Sequence, residues 1–303
     1  MKELVVISGK GGTGKTSLVG AFAALAGSAV LGDCDVDASD LPLILEPHVR
    51  QQHEFWHGRR ARVDGDLCTG CRACQSVCRF DAIRDSGPAN RWAPRTCRVD
   101  PAACEGCGAC LQVCPSQAIT LAPAPAGEWF VSDTRFGPMV HARLGAGGEN
   151  SGKLVSQVRG KARQLAGAAG AQYLLIDGSP GIGCPVIASL AHGDFALIVT
   201  EPTPSGWYDM QRIITLTRHF KIAAMLCVNR WDLNPAQAVT IEKSARENAV
   251  FPVGRVRVDG AFDEAQRRRL TVMEIGAGNV QKDIAQVWAK VDTRMQAKQE
   301  KHP

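Results

Sequence analysis

The sequence lacks several features that would assign it to common classes of protein. It has no run of about 18 or more apolar residues, so it predicts no transmembrane helix. The apolar stretch near its start, ELVVIS, is too short for the core of a secretory signal and leads directly into a glycine-rich loop. Its formal net charge of +5 is mildly basic and lacks the clustering typical of nucleic-acid binding. We therefore expect a cytoplasmic protein with neither a nucleic-acid nor a membrane partner.

Cysteine, by contrast, is abundant. The chain of 303 residues contains 12 cysteines, and most of them lie between Cys68 and Cys114. In a cytosolic protein such a concentration indicates metal ligands rather than disulfide bonds. The four cysteines outside the two regular runs are Cys34, Cys97, Cys184 and Cys227. Cys227 lies in an apolar stretch and is expected in the core. The sequence does not decide the roles of Cys34, Cys97 and Cys184.

Short apolar segments alternate with helical segments over most of the chain. Residues 3–8 and 28–33 are predicted strands on either side of a helix at 15–26, in which Leu18, Phe22 and Leu25 recur at helical spacing. Further strands are predicted at 173–181, 195–202, 222–229 and 250–256, and helices at about 183–192, 205–219, 235–248, 260–268 and 278–295. This alternation predicts an α/β fold with a doubly wound, mostly parallel sheet.

The loop after the first strand has the sequence GKGGTGKTS, residues 9–17. It matches the P-loop pattern G-x-x-x-x-G-K-[ST], in which backbone N–H groups and a helix N-terminus bind phosphate. Lys15 is expected to reach the β- and γ-phosphates, and the Thr16 hydroxyl to bind Mg²⁺. The predicted nucleotide-binding residues of the loop are Gly9, Lys10, Gly11, Gly12, Thr13, Gly14, Lys15, Thr16 and Ser17. The large domain is therefore predicted to be a P-loop NTPase that binds ATP and Mg²⁺.

A P-loop also needs carboxylates near the metal. Asp177 follows the apolar run YLLI and precedes GSPG, which is the expected position of a metal-binding acid at the end of a strand. Asp35 and Asp37 follow the second strand, and one of them could orient the attacking water. We expect Thr16, Asp35 and Asp177 to surround the magnesium ion.

Two cysteine runs share the spacing C-x₂-C-x₂-C-x₃-C. This is the spacing of bacterial two-cluster ferredoxins, in which three ligands come from one run and the fourth from the other. The predicted ligands are Cys68, Cys71, Cys74 and Cys114 for one 4Fe–4S cluster, and Cys78, Cys104, Cys107 and Cys110 for the second. Zinc would favour two separated C-x₂-C pairs, so it fits less well. The first run ends in Arg79 rather than proline. The segment between the runs contains Trp92 and Cys97, and it is interpreted as a loop in preference to the alternative that it supplies an additional ligand.

These runs interrupt the α/β pattern. From about residue 51 the chain becomes basic, polar and rich in cysteine, and a Pro/Ala segment, LAPAPAG at 121–127, reads as the linker that closes this region. We predict a discontinuous ATPase domain at 1–59 and 126–303, with a small α+β bacterial-type ferredoxin domain inserted at 60–125.

The segment KGGTGKT, which begins at Lys10, resembles the deviant Walker A motif of the MinD/Mrp family of P-loop ATPases, which includes the nitrogenase iron protein. GDCDVD is similar to the family's switch I and LIDGSPGIG to its switch II. NRWD at 229–232 resembles its adenine-contacting segment, which implies a nucleotide contact for Asn229. The resemblance covers about residues 1–50 and 128–290.

In that family the additional lysine crosses a dimer interface to the phosphates of the partner's nucleotide. The resemblance therefore implies an ATP-dependent homodimer, or a heterodimer with a close relative. It also implies catalytic roles for Lys10, Lys15, Asp177 and Asp35, the last as the switch I aspartate. Cys34 and Cys184 lie beside the two predicted switches, which leaves open a role as interface thiols that sense the nucleotide.

A complete P-loop and a complete two-cluster motif in one chain suggest three functions. The first is an ATPase whose dimer switching is coupled to electron transfer through the clusters to a redox protein partner. The second is a factor that assembles or delivers iron–sulfur clusters, although the chain has no C-x-x-C pair outside the insert of the kind that such carriers usually place at their dimer interface. The third is a MinD-like switch that positions partners and uses the clusters as a redox sensor.

Overall fold

The computed structural model describes residues 1–145 and 151–299. Residues 146–150 and 300–303, which include the end of the predicted ATPase domain, lie outside the described residues. The chain forms two compact units. The large unit comprises Met1–His53, Trp129–Arg143 and the described residues from Ser151 onward, and the small unit comprises Glu54–Glu128 with Leu144 and Gly145.

Eleven strands are present in the described part of the chain: β1 (Lys2–Ser8), β2 (Ala29–Asp33), β3 (His48–Val63), β4 (Ile83–Gly87), β5 (Thr96–Val99), β6 (Ile119–Thr134), β7 (Gly137–Leu144), β8 (Tyr173–Pro180), β9 (Phe195–Thr200), β10 (Ala223–Asn229) and β11 (Phe251–Val256). Nine of them are hydrogen-bonded in the order β11-β10-β9-β1-β8-β2-β7-β6-β3. The pairs from β11 through β7 are parallel. The predicted doubly wound, mostly parallel sheet is confirmed.

The helices in the same residues are α1 (Lys15–Ala26), α2 (Leu41–Leu45), α3 (Ala73–Ser76), α4 (Ala109–Gln112), α5 (Ser151–Ala168), α6 (Cys184–Leu190), α7 (Pro204–His219), α8 (Pro235–Glu247), α9 (Ala261–Arg267), α10 (Val272–Ile275) and α11 (Asn279–Gln299). A 3₁₀ turn occupies Trp231–Leu233. None of these helices combines the length and the apolar composition that a membrane crossing requires, as far as the described residues go.

The central strands are mostly apolar because helices cover both faces of the sheet. Leu4 and Val6 of β1 are fully buried in a core that includes Phe22 of α1 and Trp288 of α11, whose rings lie 5.1 Å apart. Cys227 of β10 is fully buried in the same core, as expected. The apolar face of α11 therefore packs on the sheet of its own unit.

The opposite face of the sheet carries a buried charge cluster that anchors α5. Glu3 of β1 has no exposed surface, and its carboxylate accepts hydrogen bonds from Arg159 Nε at 2.6 Å and from Arg163 Nε at 2.9 Å. Both arginines belong to α5, which was not among the predicted helices. A buried carboxylate is tolerated here because two guanidinium groups satisfy it.

The predicted linker at 121–127 is wrong, because these residues lie inside β6. The φ angle of proline suits an extended strand. Residues two apart direct their N–H groups to the same strand edge, so Pro123 and Pro125 remove donors from one edge only. A Pro/Ala composition is consequently compatible with a strand as well as with a linker.

The small unit is built from two similar halves. Helices α3 and α4 each follow the first two cysteines of a run, and β4 pairs with β5 in an antiparallel two-stranded sheet. Its core combines apolar side chains with several of the cysteines, and it includes Ala61, Ile83, Ala118 and Ile119. The interpretation of the segment around Cys97 as a loop is wrong, because Cys97 lies in β5. That strand has only four residues and is stabilised by its pairing with β4, so its own sequence predicts it poorly.

Candidate functional site

The glycine-rich loop joins the end of β1 to the start of α1. Gly12 and Gly14 adopt positive φ angles of 76° and 89°, and Gly14 is the N-cap of α1. Ser8 Oγ donates a hydrogen bond to the Lys10 carbonyl at 2.6 Å, which holds the entry to the loop. In this conformation the backbone of the loop turns at the N-terminus of α1, which is the positive end of the helix. This is the geometry that binds a phosphate group.

Neighbouring elements hold this loop so closely that two positions require glycine. A Cβ atom on Gly9 would overlap the Cβ of Asp209 in α7, and one on Gly14 would overlap the amide of Asn229. Asn229 Nδ2 donates to the carbonyl of Thr13 at 2.8 Å, while its Oδ1 accepts from the backbone N–H of Arg230 at 3.0 Å. Asn229 is 4% exposed, so its amide braces the loop at the end of β10. Its predicted contact with adenine stays a prediction.

A cavity of about 490 Å³ opens at the loop. Gly11, Gly12, Gly14, Lys15, Thr16, Ser17, Asp35 and Ser179 are among the residues that line it. A neighbouring cavity of about 420 Å³ is lined in part by Asn229, Arg230 and Phe262. Six of the nine predicted loop residues and Asp35 of switch I thus meet at one cavity, which is large enough for a nucleotide. The predicted residues Gly9, Lys10, Thr13 and Asp177 are not among those that line it.

Asp177 lies beside the loop with an unusual lack of partners. It is fully buried on β8, and neither carboxylate oxygen has a hydrogen bond within the described residues. Burial raises its pKa to about 7, although the Lys15 ammonium and the nearby Thr16 hydroxyl oppose the shift. A buried carboxylate without partners is costly unless a cation joins it, so this arrangement fits a magnesium ion held by Asp177 and Thr16.

Asp33 is a further site residue that the sequence analysis did not select. It is fully buried at the end of β2 and is the register partner of Asp177. Its carboxylate accepts hydrogen bonds from the Asp35 backbone N–H at 3.1 Å and from Ser39 Oγ at 2.7 Å. Burial and the Asp177 charge raise its pKa well above the usual range. Asp33 therefore orders the turn that presents Asp35 to the cavity, and its place at a strand end was the available signal.

Lys10 does not point freely into solvent. Its Nζ lies 3.0 Å from Oε2 of Glu201, which follows β9. Arg230 forms an ion pair with the other oxygen of the same carboxylate. The side chain of Lys10 is 37% exposed and that of Glu201 is 11% exposed, so the pair sits at the rim of the site. Within this chain, the additional lysine is therefore held by a glutamate.

The eight regularly spaced cysteines of the small unit surround two separate cavities. Cys68, Cys71, Cys74 and Cys114 line the first cavity, and Cys78, Cys104, Cys107 and Cys110 line the second. These are the two sets that the interleaved spacing predicts. Tight turns bring the backbone around them: Gly70 and Gly106 have φ angles of 67° and 64°. A Cβ on Gly70 would lie 2.7 Å from the Arg95 carbonyl oxygen, and one on Gly106 would overlap that of Arg59.

Backbone N–H groups also point at the sulfurs. The N–H of Cys97 donates to Sγ of Cys68 at 3.4 Å, and the N–H of Ala61 donates to Sγ of Cys104 at 3.5 Å. The N–H of Ala82 donates to Sγ of Cys78 at 3.4 Å. Such bonds stabilise thiolates that carry iron–sulfur clusters. No three Cys, His, Asp or Glu side chains of the described ranges converge on one metal ion. Four sulfurs around a cavity suit a cube of iron and sulfide, whose ligands lie farther apart than those of a single ion.

The remaining cysteines differ in exposure. Cys34 is fully buried next to Asp33, and burial raises the pKa of its thiol strongly. Cys184 is exposed at the start of α6. Cys97 is 4% exposed and lines the first cysteine cavity. Sequence spacing alone did not associate Cys97 with that cavity.

Comparison with known proteins finds one matching domain family and two relatives of similar length. Residues 67–118 match the 4Fe-4S dicluster domain. Over 235 residues, the chain is 32% identical to the uncharacterized protein MJ0578 of Methanocaldococcus jannaschii, covering 77% of this chain and 79% of that protein. It is also 23% identical over 267 residues to MJ0579 of the same organism, covering 77% of this chain and 83% of that protein.

Solved structures share the fold of the chain at low sequence identity. The cell division ATPase MinD of Pyrococcus furiosus aligns with a TM-score of 0.56 and 15% identity over 96% of this chain and 98% of that one. The septum site-determining protein MinD of Pyrococcus horikoshii, solved in complex with Mg-ADP, aligns with a TM-score of 0.53 and 14% identity over 96% of each chain.

Proposed function

We propose a function from the premise that the chain belongs to the family of MJ0578 and combines a MinD/ParA-type P-loop fold with a 4Fe-4S dicluster domain. The protein binds and hydrolyses ATP, and its nucleotide-driven dimer switching is coupled to electron transfer through two 4Fe–4S clusters to a protein partner. One observation carries the proposal. A single chain contains a phosphate loop beside a buried carboxylate without partners, and also two cavities each lined by four cysteines.

The nucleotide chemistry follows from the side chains around the loop. The backbone of residues 9–14 and the N-terminus of α1 bind the phosphates, and Lys15 neutralises charge on the β- and γ-phosphates. Thr16 and Asp177 hold Mg²⁺, which would polarise the terminal phosphate. Asp35, which lines the cavity and is positioned by Asp33, orients the attacking water. The Mg-ADP complex of the P. horikoshii protein supports this assignment by analogy of fold.

Hydrolysis is expected to require a dimer. Lys10 lies at the rim of the site, where it could leave Glu201 and reach the phosphates bound by a second subunit. That subunit is a second copy or a close relative. The presence of two related proteins in one organism, MJ0578 and MJ0579, supports the second possibility.

The eight regular cysteines hold the clusters in the sets that line the two cavities. When bound, the clusters supply one-electron redox chemistry, and the N–H groups that point at the sulfurs favour the reduced state. Because these cysteines serve as cluster ligands rather than as disulfide partners, a reducing compartment such as the cytoplasm is the proposed location.

The test is an anaerobic redox titration of the clusters, followed by electron paramagnetic resonance, with and without MgATP. Because linkage is reciprocal, nucleotide binding that depends on reduction must shift the midpoint potential, and a shift of about 60 mV per electron corresponds to about 1.4 kcal/mol of coupling. The Lys15→Ala variant is the control, since it should lose both hydrolysis and any shift. A wild-type protein that hydrolyses ATP without any shift would instead favour a partner-positioning switch or an assembly factor.

A further inference from the structure

The two halves of the small unit match over a longer stretch than the cysteine runs. The segment ARVD, residues 61–64, begins seven residues before Cys68, and CRVD, residues 97–100, begins seven residues before Cys104. Cys97 therefore takes the place in the second half that Ala61 takes in the first.

Backbone hydrogen bonds show that these positions are equivalent in space. The N–H of Ala61 donates to Sγ of Cys104 at 3.5 Å, and that of Cys97 donates to Sγ of Cys68 at 3.4 Å. The following residues repeat the relation, because the N–H groups of Asp64 and Asp100 each donate over 2.7 Å, to the carbonyls of Ala118 and Ala82, respectively. The halves thus differ at this position in the side chain alone, a methyl group in one and a thiol in the other.

The thiol of Cys97 faces the first cysteine cavity. It lines that cavity together with Cys68, Cys71, Cys74 and Cys114, whereas Ala61 lines the second. The Cys97 backbone N–H donates to Sγ of Cys68 at 3.4 Å, and its thiol lies near that of Cys74. Since alanine fills the same place in the other half, packing does not require a sulfur here.

We propose that Cys97 is a reserve ligand of the first 4Fe–4S cluster. It can replace Cys74 or Cys68 when either residue no longer binds the cluster. This inference rests on the proposed function for the identity of the clusters. In such an exchange the Cys97 thiol releases its proton and bonds to iron, the departing thiolate takes up a proton, and no electron is transferred. The second cavity has no fifth thiol among the residues that line it, so the two clusters should differ in their resistance to ligand loss.

The repeat supplies a matched control for the experiment. Cys74 and Cys110 are the third cysteines of their runs, so Cys74→Ala and Cys110→Ala remove equivalent ligands. Each variant of the full chain is purified anaerobically, its iron content is measured, and its reduced clusters are recorded by electron paramagnetic resonance. The wild type should contain about eight irons per chain.

Cys74→Ala should keep about eight irons with an altered signal from one cluster, and Cys74→Ala with Cys97→Ala should fall to about four. Cys110→Ala should also fall to about four, and adding Ala61→Cys should restore the lost irons. A Cys74→Ala variant that loses a cluster as Cys110→Ala does would overturn this inference alone. If Cys110→Ala keeps all its iron, the ligand assignment of the proposed function fails, and the inference fails with it.

A second pair of variants tests whether a folding defect arises only from the change at position 74. Because Cys97 lies near the sulfurs of both Cys74 and Cys68, Cys68→Ala is measured with and without Cys97→Ala. A reserve ligand should make these variants more robust than Cys110→Ala. If both Cys74→Ala and Cys68→Ala are insoluble while Cys110→Ala is soluble, the proposal is wrong.

Discussion

Replacing Glu201 with glutamine should strengthen ATP-dependent dimerisation. In the single chain, the carboxylate of Glu201 holds Lys10 at 3.0 Å and also pairs with Arg230. If Lys10 must reach the nucleotide of a second subunit, this ion pair has to break first. Glutamine keeps the shape of the side chain and removes its charge, so it lowers the free energy needed to release the lysine.

The structure limits the size of this effect. The Lys10 side chain is 37% exposed, so its ion pair is screened by water and contributes about 0.2–1 kcal/mol. A homodimer releases two such pairs, which gives about 0.4–2 kcal/mol and a dimer Kd lower by a factor of about 2 to 30. The effect should weaken as the salt concentration rises, because salt screens the pair that glutamine removes.

Sedimentation equilibrium with a non-hydrolysable ATP analogue measures this Kd directly. Lys10→Ala should weaken the dimer while nucleotide binding to the single chain is retained, and Glu201→Gln should give no gain in the Lys10→Ala background. Arg230→Gln is a further control, because Arg230 is the second cation that pairs with Glu201. This variant distinguishes the contribution of Arg230 from that of Lys10. The reasoning is refuted if Glu201→Gln weakens the dimer, or if it strengthens the dimer equally with and without Lys10.

Three further outcomes are expected from the fold. Gly9→Ala should lower the melting temperature of the nucleotide-free protein, because the new Cβ atom has no room against α7 and overpacking costs about 1–3 kcal/mol. Gly11→Ala is the control and should leave the melting temperature unchanged, because the space around Gly11 is open. Glu3→Gln leaves the buried Arg159 without its charge partner and should destabilise the protein by about 3–5 kcal/mol in thermal unfolding; a loss below about 1 kcal/mol would contradict the buried pair. Burial raises the folded-state pKa of Asp177 to about 7, so magnesium-free protein should lose stability as the pH rises from about 4, where the unfolded carboxylate ionises, to 7. In calorimetry, Asp177→Asn should reduce this dependence and leave only the part that comes from Asp33, whose pKa is also raised; an unchanged pH profile would disprove it.

Most of the large unit could be predicted from local sequence patterns. The strands β1, β8, β9 and β10 are short apolar runs that lie between helical segments, and their hydrophobicity follows directly from burial on both faces. Strands β3, β6 and β7 and helix α5 were not predicted. Proline and alanine in β6 resemble a linker, because an extended strand depends on its neighbours for stability and has no strong composition of its own.

The candidate sites divide in the same way. The phosphate loop and the two cysteine sets are encoded by spacing, since positive φ angles at glycine and four sulfurs around a cavity need particular residues a few positions apart. Asp33 and Glu201 were assigned no role, and Cys97 was interpreted as part of a loop in preference to an additional ligand. Glu201 and Cys97 act through partners that are distant in the chain, and no short motif records such partners. Asp33 orders its own turn through Asp35 and Ser39, but its position opposite Asp177 depends on the pairing of two strands.

The sequence by itself therefore determined the α/β class, the phosphate loop, the inserted cysteine region and the interleaved cysteine sets. Periodicity and spacing describe interactions within a few residues, and these features depend on nothing more. Only the tertiary structure decided that Asp33 faces Asp177 across neighbouring strands, that Glu201 holds Lys10 and that Cys97 faces the first cavity. These contacts join residues between 23 and 191 positions apart, and they arise because strand order and register bring such residues together when the sheet and the small unit fold.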